Sequence, residues 1–143
     1  RYSGSTNTYG FHVDNAMRLA PGGQGSYVRA DISATLFLSD PADYDGGVLT
    51  VEDTFGNHGV KLDAGSLMLY PSSSVHAVTP VTRGERVSCF MFLQSMVRDP
   101  ARRRLLYDMD MALLQLRAGQ GESDAAVRLT STYHNLLRMW AES

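Results

Sequence analysis

The sequence contains a single cysteine, Cys89, and this scarcity excludes a fold held together by internal disulfides. Because Cys89 lies in an apolar run, we expect it to be a buried, reduced thiol. No apolar stretch reaches the roughly 18 residues that a transmembrane helix needs, so the sequence excludes a membrane-spanning helix. No charged-then-apolar leader is evident at the start, and we therefore expect a cytoplasmic location.

The chain also lacks an excess of charge of either sign. Its 13 basic and 15 acidic residues leave a net charge of −2, which argues against nucleic acid and anionic membranes as partners. With 143 residues, of which 43% are hydrophobic, the sequence is long enough to bury one ordinary core. It begins at Arg1 rather than at a methionine, so we expect it to be part of a longer protein.

Short segments bounded by turn residues fill the first two thirds of the chain. From residue 31 to residue 39 apolar and polar residues alternate, which predicts a strand with Ser33 and Thr35 on its polar, inward-facing side. Further strands are predicted over residues 48–52, 59–62, 66–70, 75–81 and 86–95. About seven strands at this spacing predict a mainly β sandwich or barrel. Closure into a double-sheet jelly roll would also protect the strand edges.

After this β region the pattern changes to helical spacing. Asp99 suits an N-cap and Pro100 suits a first helical turn, and a second helix is predicted to begin near Ser123. The two apolar stripes consist of Leu105, Leu106, Met109, Leu113 and Leu116, and of Val127, Tyr133, Leu137 and Trp140. We expect residues 98–143 to be a helical extension that packs on a β core formed by residues 1–97, with homodimerisation through the helices as the alternative.

A histidine and a carboxylate stand two residues apart in an extended-looking segment near the start. Residues i and i+2 of a strand share a face, so His12 and Asp14 should point the same way while Phe11 and Val13 enter a core. Two ligands are too few for a divalent metal ion. The arrangement to look for is two histidines and one carboxylate, as in non-haem Fe(II) oxygenases.

A third ligand and an anion-binding group lie further along the chain. His76 begins a predicted strand and completes a set with His12 and Asp14. Arg86 opens the next strand, which we expect to pair with the His76 strand through the intervening turn. Three protein ligands leave room on iron for a 2-oxo acid and O₂. A guanidinium is a two-pronged partner for the far carboxylate of that acid. Tyr70 is a candidate for hydrogen bonding to this co-substrate, with packing as its alternative role.

The remaining polar features have simpler interpretations. His58 has no partner at ligand spacing and is expected to be an exposed turn residue, while His134 is expected to pack within its helix. Arg83 lies near a turn tip and should be solvated. The arginines at 102–104 suggest a solvated face or a subunit contact rather than a nucleic-acid site. Cys89 lacks the neighbours of an activated nucleophile.

Five stretches of sequence carry a family resemblance: YGFHVDNA at 9–16, DISATLFLS at 31–39, YPSSSVH at 70–76, TPVTRG at 79–84 and YHNLLR at 133–138. Together they resemble the bacterial PKHD-type hydroxylases, iron-uptake-associated Fe(II)/2-oxoglutarate-dependent dioxygenases, over essentially the whole chain. The resemblance implies a double-stranded β-helix with iron on His12, Asp14 and His76 and with 2-oxoglutarate on Arg86. It also implies dependence on L-ascorbate, as in prolyl and lysyl hydroxylases. Such proteins usually carry an N-terminal segment that this sequence lacks.

The leading hypothesis is a dioxygenase that decarboxylates 2-oxoglutarate to succinate and hydroxylates an unidentified substrate. One alternative is a non-catalytic iron or 2-oxoglutarate sensor that acts through its C-terminal helices. Another is a metal-binding jelly roll that uses no 2-oxo acid, which predicts that Arg86 points to solvent. We expect the substrate pocket to be formed by the loops at 1–8, 19–30 and 40–47 and by the N-terminal segment.

Overall fold

The computed structural model describes residues 1–20, 22 and 25–142. The chain forms two compact units, Arg1–Gln94 and Ser95–Ser143. The loop predicted at 19–30 lies in part outside the described residues, which do not include Pro21, Gly23 and Gln24.

The first unit is built from short strands, and the second from two helices. The strands are β1 (Tyr9–His12), β2 (Met17–Leu19), β3 (Tyr27–Arg29), β4 (Ile32–Phe37), β5 (Tyr44–Gly46), β6 (Leu49–Asp53), β7 (Gly56–Val60), β8 (Leu67–Pro71), β9 (His76–Val78), β10 (Val81–Gly84) and β11 (Ser88–Leu93). A short 3-10 helix, Pro41–Asp43, precedes β5. The helices are α1 (Pro100–Gln120) and α2 (Asp124–Trp140). The prediction of a mainly β chain that ends in two helices is confirmed.

Two antiparallel sheets make up most of the first unit. One has the strand order β1-β9-β6-β7 and the other the order β11-β4-β8, while β5 pairs with β10 and β2 pairs with β3. A hydrophobic core joins residues of both larger sheets: Phe37, Leu49, Val51, Tyr70 and Val78. Burial of an aliphatic or aromatic side chain of this size contributes about 1.5–3 kcal/mol each. The two sheets therefore face each other across a common core, which is consistent with a jelly roll.

The predicted alternation in β4 has a clear structural counterpart. On one face Ser33 lies opposite Tyr70 and Phe92 in the neighbouring strands, so its hydroxyl points into the interior between the sheets. Ser33 and Thr35 are both buried, at 2% and 5% exposure. The predicted inward-facing hydroxyl groups are therefore present in the structure.

One predicted strand pairing is wrong. The strand after Arg86 was expected to pair with the His76 strand, but β11 pairs with β4, and β9 lies between β1 and β6. The predicted turn at 82–84 is instead part of β10, which pairs with β5. Gly84 makes this possible because its φ is +72° and a Cβ there would collide with the Asp43 carbonyl oxygen. The backbone at Gly84 thus approaches that at Asp43 closely, and β10 pairs with β5.

Three smaller predictions also fail. Cys89 is exposed rather than buried, because β11 turns it away from the core. His58 is exposed as predicted, but it lies within β7 and not in a turn, and its Nε2 is 2.9 Å from Asp53 Oδ2. His134 is exposed on α2 rather than packed within it.

The polar segments at 1–8 and 40–47 are also more ordered than expected. Tyr2 forms an isolated β-bridge with Arg86, and Asn7 and Thr8 donate hydrogen bonds to backbone carbonyls of the β9–β10 region. The segment 40–47 contains the 3-10 helix and β5.

Both helices begin where their caps predict. The Asp99 side chain accepts hydrogen bonds from the first backbone N–H groups of α1, and Ser123 caps α2 in the same way. Of the predicted stripes, Leu106 and Leu113 are buried, but Val127 is 53% exposed. Packing of the helices on the sheets stays a prediction. Within the described residues, neither helix combines the length and apolarity that crossing a bilayer requires.

Candidate metal centre and its cavity

The two sequence-predicted histidines lie side by side on neighbouring strands. His12 at the end of β1 and His76 at the start of β9 are Cα partners in the antiparallel pairing, and their ring centroids are 4.2 Å apart. Asp14 follows just after β1, and its Oδ2 lies 3.6 Å from His76 Nε2. Their antiparallel register therefore brings together ligands that are far apart in the sequence.

The apolar residues next to His12 and Asp14 are more exposed than predicted. Phe11 and Val13 were expected to enter a core, but they are 60% and 49% exposed. Their side chains therefore do not belong to the hydrophobic core, although they alternate with His12 and Asp14 as predicted. The prediction of the polar face succeeds, and the prediction of the apolar face is wrong.

The donor set fits a divalent first-row metal ion. One ligand atom from each of His12, Asp14 and His76 lies within 4.8 Å of the other two. Nitrogen and oxygen ligands bind such ions at roughly 2.0–2.2 Å, so small side-chain rotations bring these atoms to bonding distance of one ion. Two imidazoles and one carboxylate are the facial set of non-haem Fe(II) sites.

Backbone carbonyls fix the orientation of both imidazoles. His12 Nδ1 is 2.8 Å from the Gly10 carbonyl oxygen, and His76 Nδ1 is 3.0 Å from that of Ser74. A carbonyl can only accept, so each Nδ1 carries the proton and donates. In a neutral imidazole with this tautomer, Nε2 carries the lone pair that metal ligation requires.

The Asp14 carboxylate is held by a chain of two buried hydroxyl groups. Ser33 donates a 2.6 Å hydrogen bond to Asp14 Oδ2, and the Ser33 and Ser72 hydroxyl oxygens are 2.8 Å apart. Ser33 and Ser72 are 2% and 3% exposed. Such outer partners orient a ligating carboxylate.

Arg86 lies deep in the same cavity as the three ligands. This cavity has a volume of about 300 Å³ and is lined by the triad, by Arg86 and by Tyr70, among others. Arg86 is 1% exposed, and its Nε and Nη2 atoms have no hydrogen-bond partner within the described part of the chain. The metal-binding jelly roll without a 2-oxo acid requires Arg86 to point to solvent, and the structure contradicts that requirement.

Aromatic rings and backbone hydrogen bonds hold Arg86 in place. Its Cζ atom lies 5.1 Å from the ring centroid of Tyr2 and 5.3 Å from that of Phe37. Two backbone hydrogen bonds, of 2.8 and 3.1 Å, link Arg86 with Tyr2. The guanidinium is thus positioned without a carboxylate partner, and a bound acid would satisfy its unpaired N–H groups.

Tyr70 is placed to act as a hydroxyl donor in the cavity. Its ring centroid is 5.0 Å from that of His76, and it is buried at 7% exposure. Burial raises the pKa of Tyr70 above its usual value, an effect that a hydrogen bond with Thr35 opposes and the charge of Asp14 reinforces. The phenol therefore stays protonated at neutral pH.

The structure also shows which polar residues lie elsewhere or were missed. His58 and Arg83 do not line this cavity, and Arg83 instead forms an exposed ion pair with Asp45. Arg18 lines the cavity, although the sequence analysis did not select it. Its signal is an arginine between two apolar residues in the short strand β2.

Comparisons with known proteins match both units of the chain. A family model described as the 2OG-Fe(II) oxygenase superfamily matches residues 1–94, and one described as the PKHD-type hydroxylase C-terminal domain matches residues 100–142. A PKHD-type hydroxylase of Nitrosomonas europaea is 73% identical over 143 residues, which cover 100% of this chain and 63% of the relative. The PKHD-type hydroxylase YbiX of Escherichia coli is 57% identical over 138 residues, which cover 96% of this chain and 60% of the relative. The chain thus spans less than two thirds of the length of these relatives.

Proposed function

Because the chain belongs to the 2OG-Fe(II) oxygenase superfamily, we propose that it is an Fe(II)- and 2-oxoglutarate-dependent dioxygenase that hydroxylates a C–H bond of its substrate. In this reaction the substrate, O₂ and 2-oxoglutarate give the hydroxylated product, succinate and CO₂. The names of the relatives support the hydroxylase assignment. The resemblance to PKHD-type hydroxylases that the sequence suggested is confirmed.

The residues of the cavity have distinct roles in this proposal. His12, Asp14 and His76 hold Fe(II) through two Nε2 atoms and one carboxylate oxygen, for which their geometry is suited. Fe(II), when bound, supplies the redox chemistry that activates O₂. Arg86 binds the far carboxylate of 2-oxoglutarate, and Tyr70 donates a hydrogen bond to the same molecule.

One observation carries the proposal: a buried arginine with unpaired N–H groups shares a cavity with a two-histidine, one-carboxylate set. A buried guanidinium without an anionic partner is costly, so a site that keeps one is built for an anionic ligand. 2-Oxoglutarate has one carboxylate and a keto oxygen for the metal and a second carboxylate for the arginine. The surrounding rings of Tyr2 and Phe37 limit the access of water to that ion pair.

Anaerobic addition of Fe(II) and 2-oxoglutarate tests the proposal directly. We expect a weak visible charge-transfer band in the wild-type protein. His76→Ala should abolish iron binding, whereas Arg86→Ala should retain iron and weaken the binding of 2-oxoglutarate by about tenfold or more. Arg83→Ala is the matched control, because Arg83 is exposed and paired with Asp45 outside the cavity.

Two results would contradict the assignment. Absence of the band in metal-loaded protein excludes the chelate, and an unchanged affinity for 2-oxoglutarate in Arg86→Ala excludes the role of that residue. Formation of succinate under O₂ separates an enzyme from a sensor that binds the same ligands. Stimulation of succinate formation by L-ascorbate tests the ascorbate dependence.

A further inference from the structure

In strand β2 the two apolar side chains are exposed to solvent, whereas the arginine between them faces the cavity. Met17 and Leu19 are 52% and 65% exposed, while Arg18 between them is half-buried and lines the cavity of the metal centre. Successive side chains of a strand point to opposite faces, so one orientation of β2 fixes all three. With 38% of its side chain exposed, Arg18 stays in contact with solvent, and the Asp14 carboxylate and the Phe92 ring offset part of the cost of turning the cation inward.

The guanidinium of Arg18 has an edge without hydrogen-bond partners. Its Cζ atom is 4.3 Å from the ring centroid of Phe92. Its Nη2 forms an ion pair with Asp14 Oδ1 at 3.6 Å, which is longer than a hydrogen bond, and its Nε is buried without a hydrogen-bond partner among the described residues. Nε and Nη2 together form the edge by which arginine binds a carboxylate with two parallel hydrogen bonds.

The net charge of the residues that line the cavity favours the binding of one further anion. Among the described lining residues, Asp14 contributes −1, and Arg18 and Arg86 contribute +1 each, so their sum is +1. A divalent metal ion and the dianion of 2-oxoglutarate cancel each other. The loaded site therefore keeps an excess of one positive charge, which favours an anionic group on the remaining ligand.

The surface next to Arg18 is apolar and aromatic. Phe90 and Phe92 lie on the inner face of β11 and line the cavity, with ring centroids 5.9 Å apart. Two aromatic side chains of the cavity lining are largely exposed: Phe90 at 70% and Tyr9 at 53%. An exposed aromatic rim beside a cation suits a ligand that carries both an apolar body and an acidic group.

From these observations we infer that Arg18 forms a substrate subsite, which binds a carboxylate of the primary substrate while Phe90 and Phe92 contact the apolar part of that substrate. The inference rests on the function proposed above, since it takes the co-substrate to occupy Arg86. It names the substrate class as carboxylic acids with an apolar body.

Matched acids and amides test this subsite. The full chain is loaded with Zn(II), with and without 2-oxoglutarate, and binding of ω-phenylalkanoates and of the corresponding amides is followed by ligand-observed NMR. We expect the acids to bind about tenfold more tightly than their amides, and we expect Arg18→Gln to abolish this difference. Arg18→Lys keeps the charge but not the two-pronged edge, so it should retain part of the preference. Met17→Gln is the control, because Met17 lies on the opposite face of β2. This variant should bind acids and amides as the wild-type protein does.

The outcomes separate the subsite from the proposed function. Equal binding of acids and amides, or no binding of any acid at about 10 mM, overturns the subsite. Loss of affinity for 2-oxoglutarate or for the metal in Arg18→Gln, with the acid preference intact, assigns Arg18 to the co-substrate or to Asp14 and also overturns it. Failure of the wild-type protein to bind 2-oxoglutarate at all refutes the proposed function. Without 2-oxoglutarate an acid can also bind Arg86, so in that case the loss or retention of the acid preference in Arg18→Gln decides the subsite.

Discussion

Replacing Ser33 by alanine should weaken metal binding while leaving the β unit folded. The Ser33 hydroxyl donates a 2.6 Å hydrogen bond to Asp14 Oδ2 and contacts the Ser72 hydroxyl at 2.8 Å. Both hydroxyl groups belong to buried residues, so water cannot easily replace the lost donor. A hydrogen bond to a charged group contributes about 1.5–3 kcal/mol, and its loss corresponds to about a 10- to 100-fold weaker metal affinity. Measured effects of outer partners on metal sites fall in the same range of about 10- to 100-fold.

Anaerobic titration with Fe(II), or with Mn(II) followed by electron paramagnetic resonance, measures this change. Ser72→Ala is the matched control, because it removes the outer hydroxyl while Asp14 keeps its direct donor, and its effect should be clearly smaller. Urea denaturation of the metal-free variants checks that the fold is retained. Metal affinity of Ser33→Ala within about twofold of the wild type would refute the reasoning, since it would mean that the hydroxyl does not orient Asp14.

Two further predictions concern stability. Asp99→Ala removes the side chain that accepts hydrogen bonds from the backbone N–H groups of Ala101 and Arg102, so α1 should lose about 1 kcal/mol, measurable by urea denaturation; an unchanged midpoint would contradict the cap. In the metal-free protein the pKa of Tyr70 is higher in the folded state than its unfolded value of 10.0. The stability that the protonated phenol contributes to the folded state is therefore complete below pH 10.0, and it is lost as the pH rises through the higher folded pKa. The ultraviolet tyrosinate signal that Tyr70→Phe removes should accordingly appear above pH 10.0, and its appearance at or below that pH would exclude the buried phenol.

The grouping of His12, Asp14 and His76 could be predicted from the sequence because its signal is local. His12 and Asp14 are two residues apart, and His76 and Arg86 each follow a recognisable turn. Their convergence did not require the correct strand pairing. Arg86 reaches the cavity through its bridge to Tyr2 rather than through the predicted pairing with the His76 strand.

The misses have physical causes that lie beyond the local pattern. The pairing of β10 with β5 depends on a close backbone approach at Gly84, which a sequence pattern does not reveal. Phe11 and Val13 were expected to be buried, but their side chains are exposed. Arg18 was overlooked because an arginine between two apolar residues ordinarily points to solvent, and only the tertiary structure turns it inward. Alternation shows which residues share a face, but it does not show which face is covered.

The pairing of His12 with His76 would make a metal ion bound there a reversible cross-link. The two histidines are Cα partners on β1 and β9, although they stand 64 positions apart in the sequence (76 − 12). An ion bound to both closes this long loop, and it restricts the unfolded chain far more than the folded one. By linkage, any ion that prefers the folded site raises the stability of the β unit with concentration. A one-residue slip of β1 against β9 would turn His12 away from His76, so metal occupancy and strand register stabilise each other.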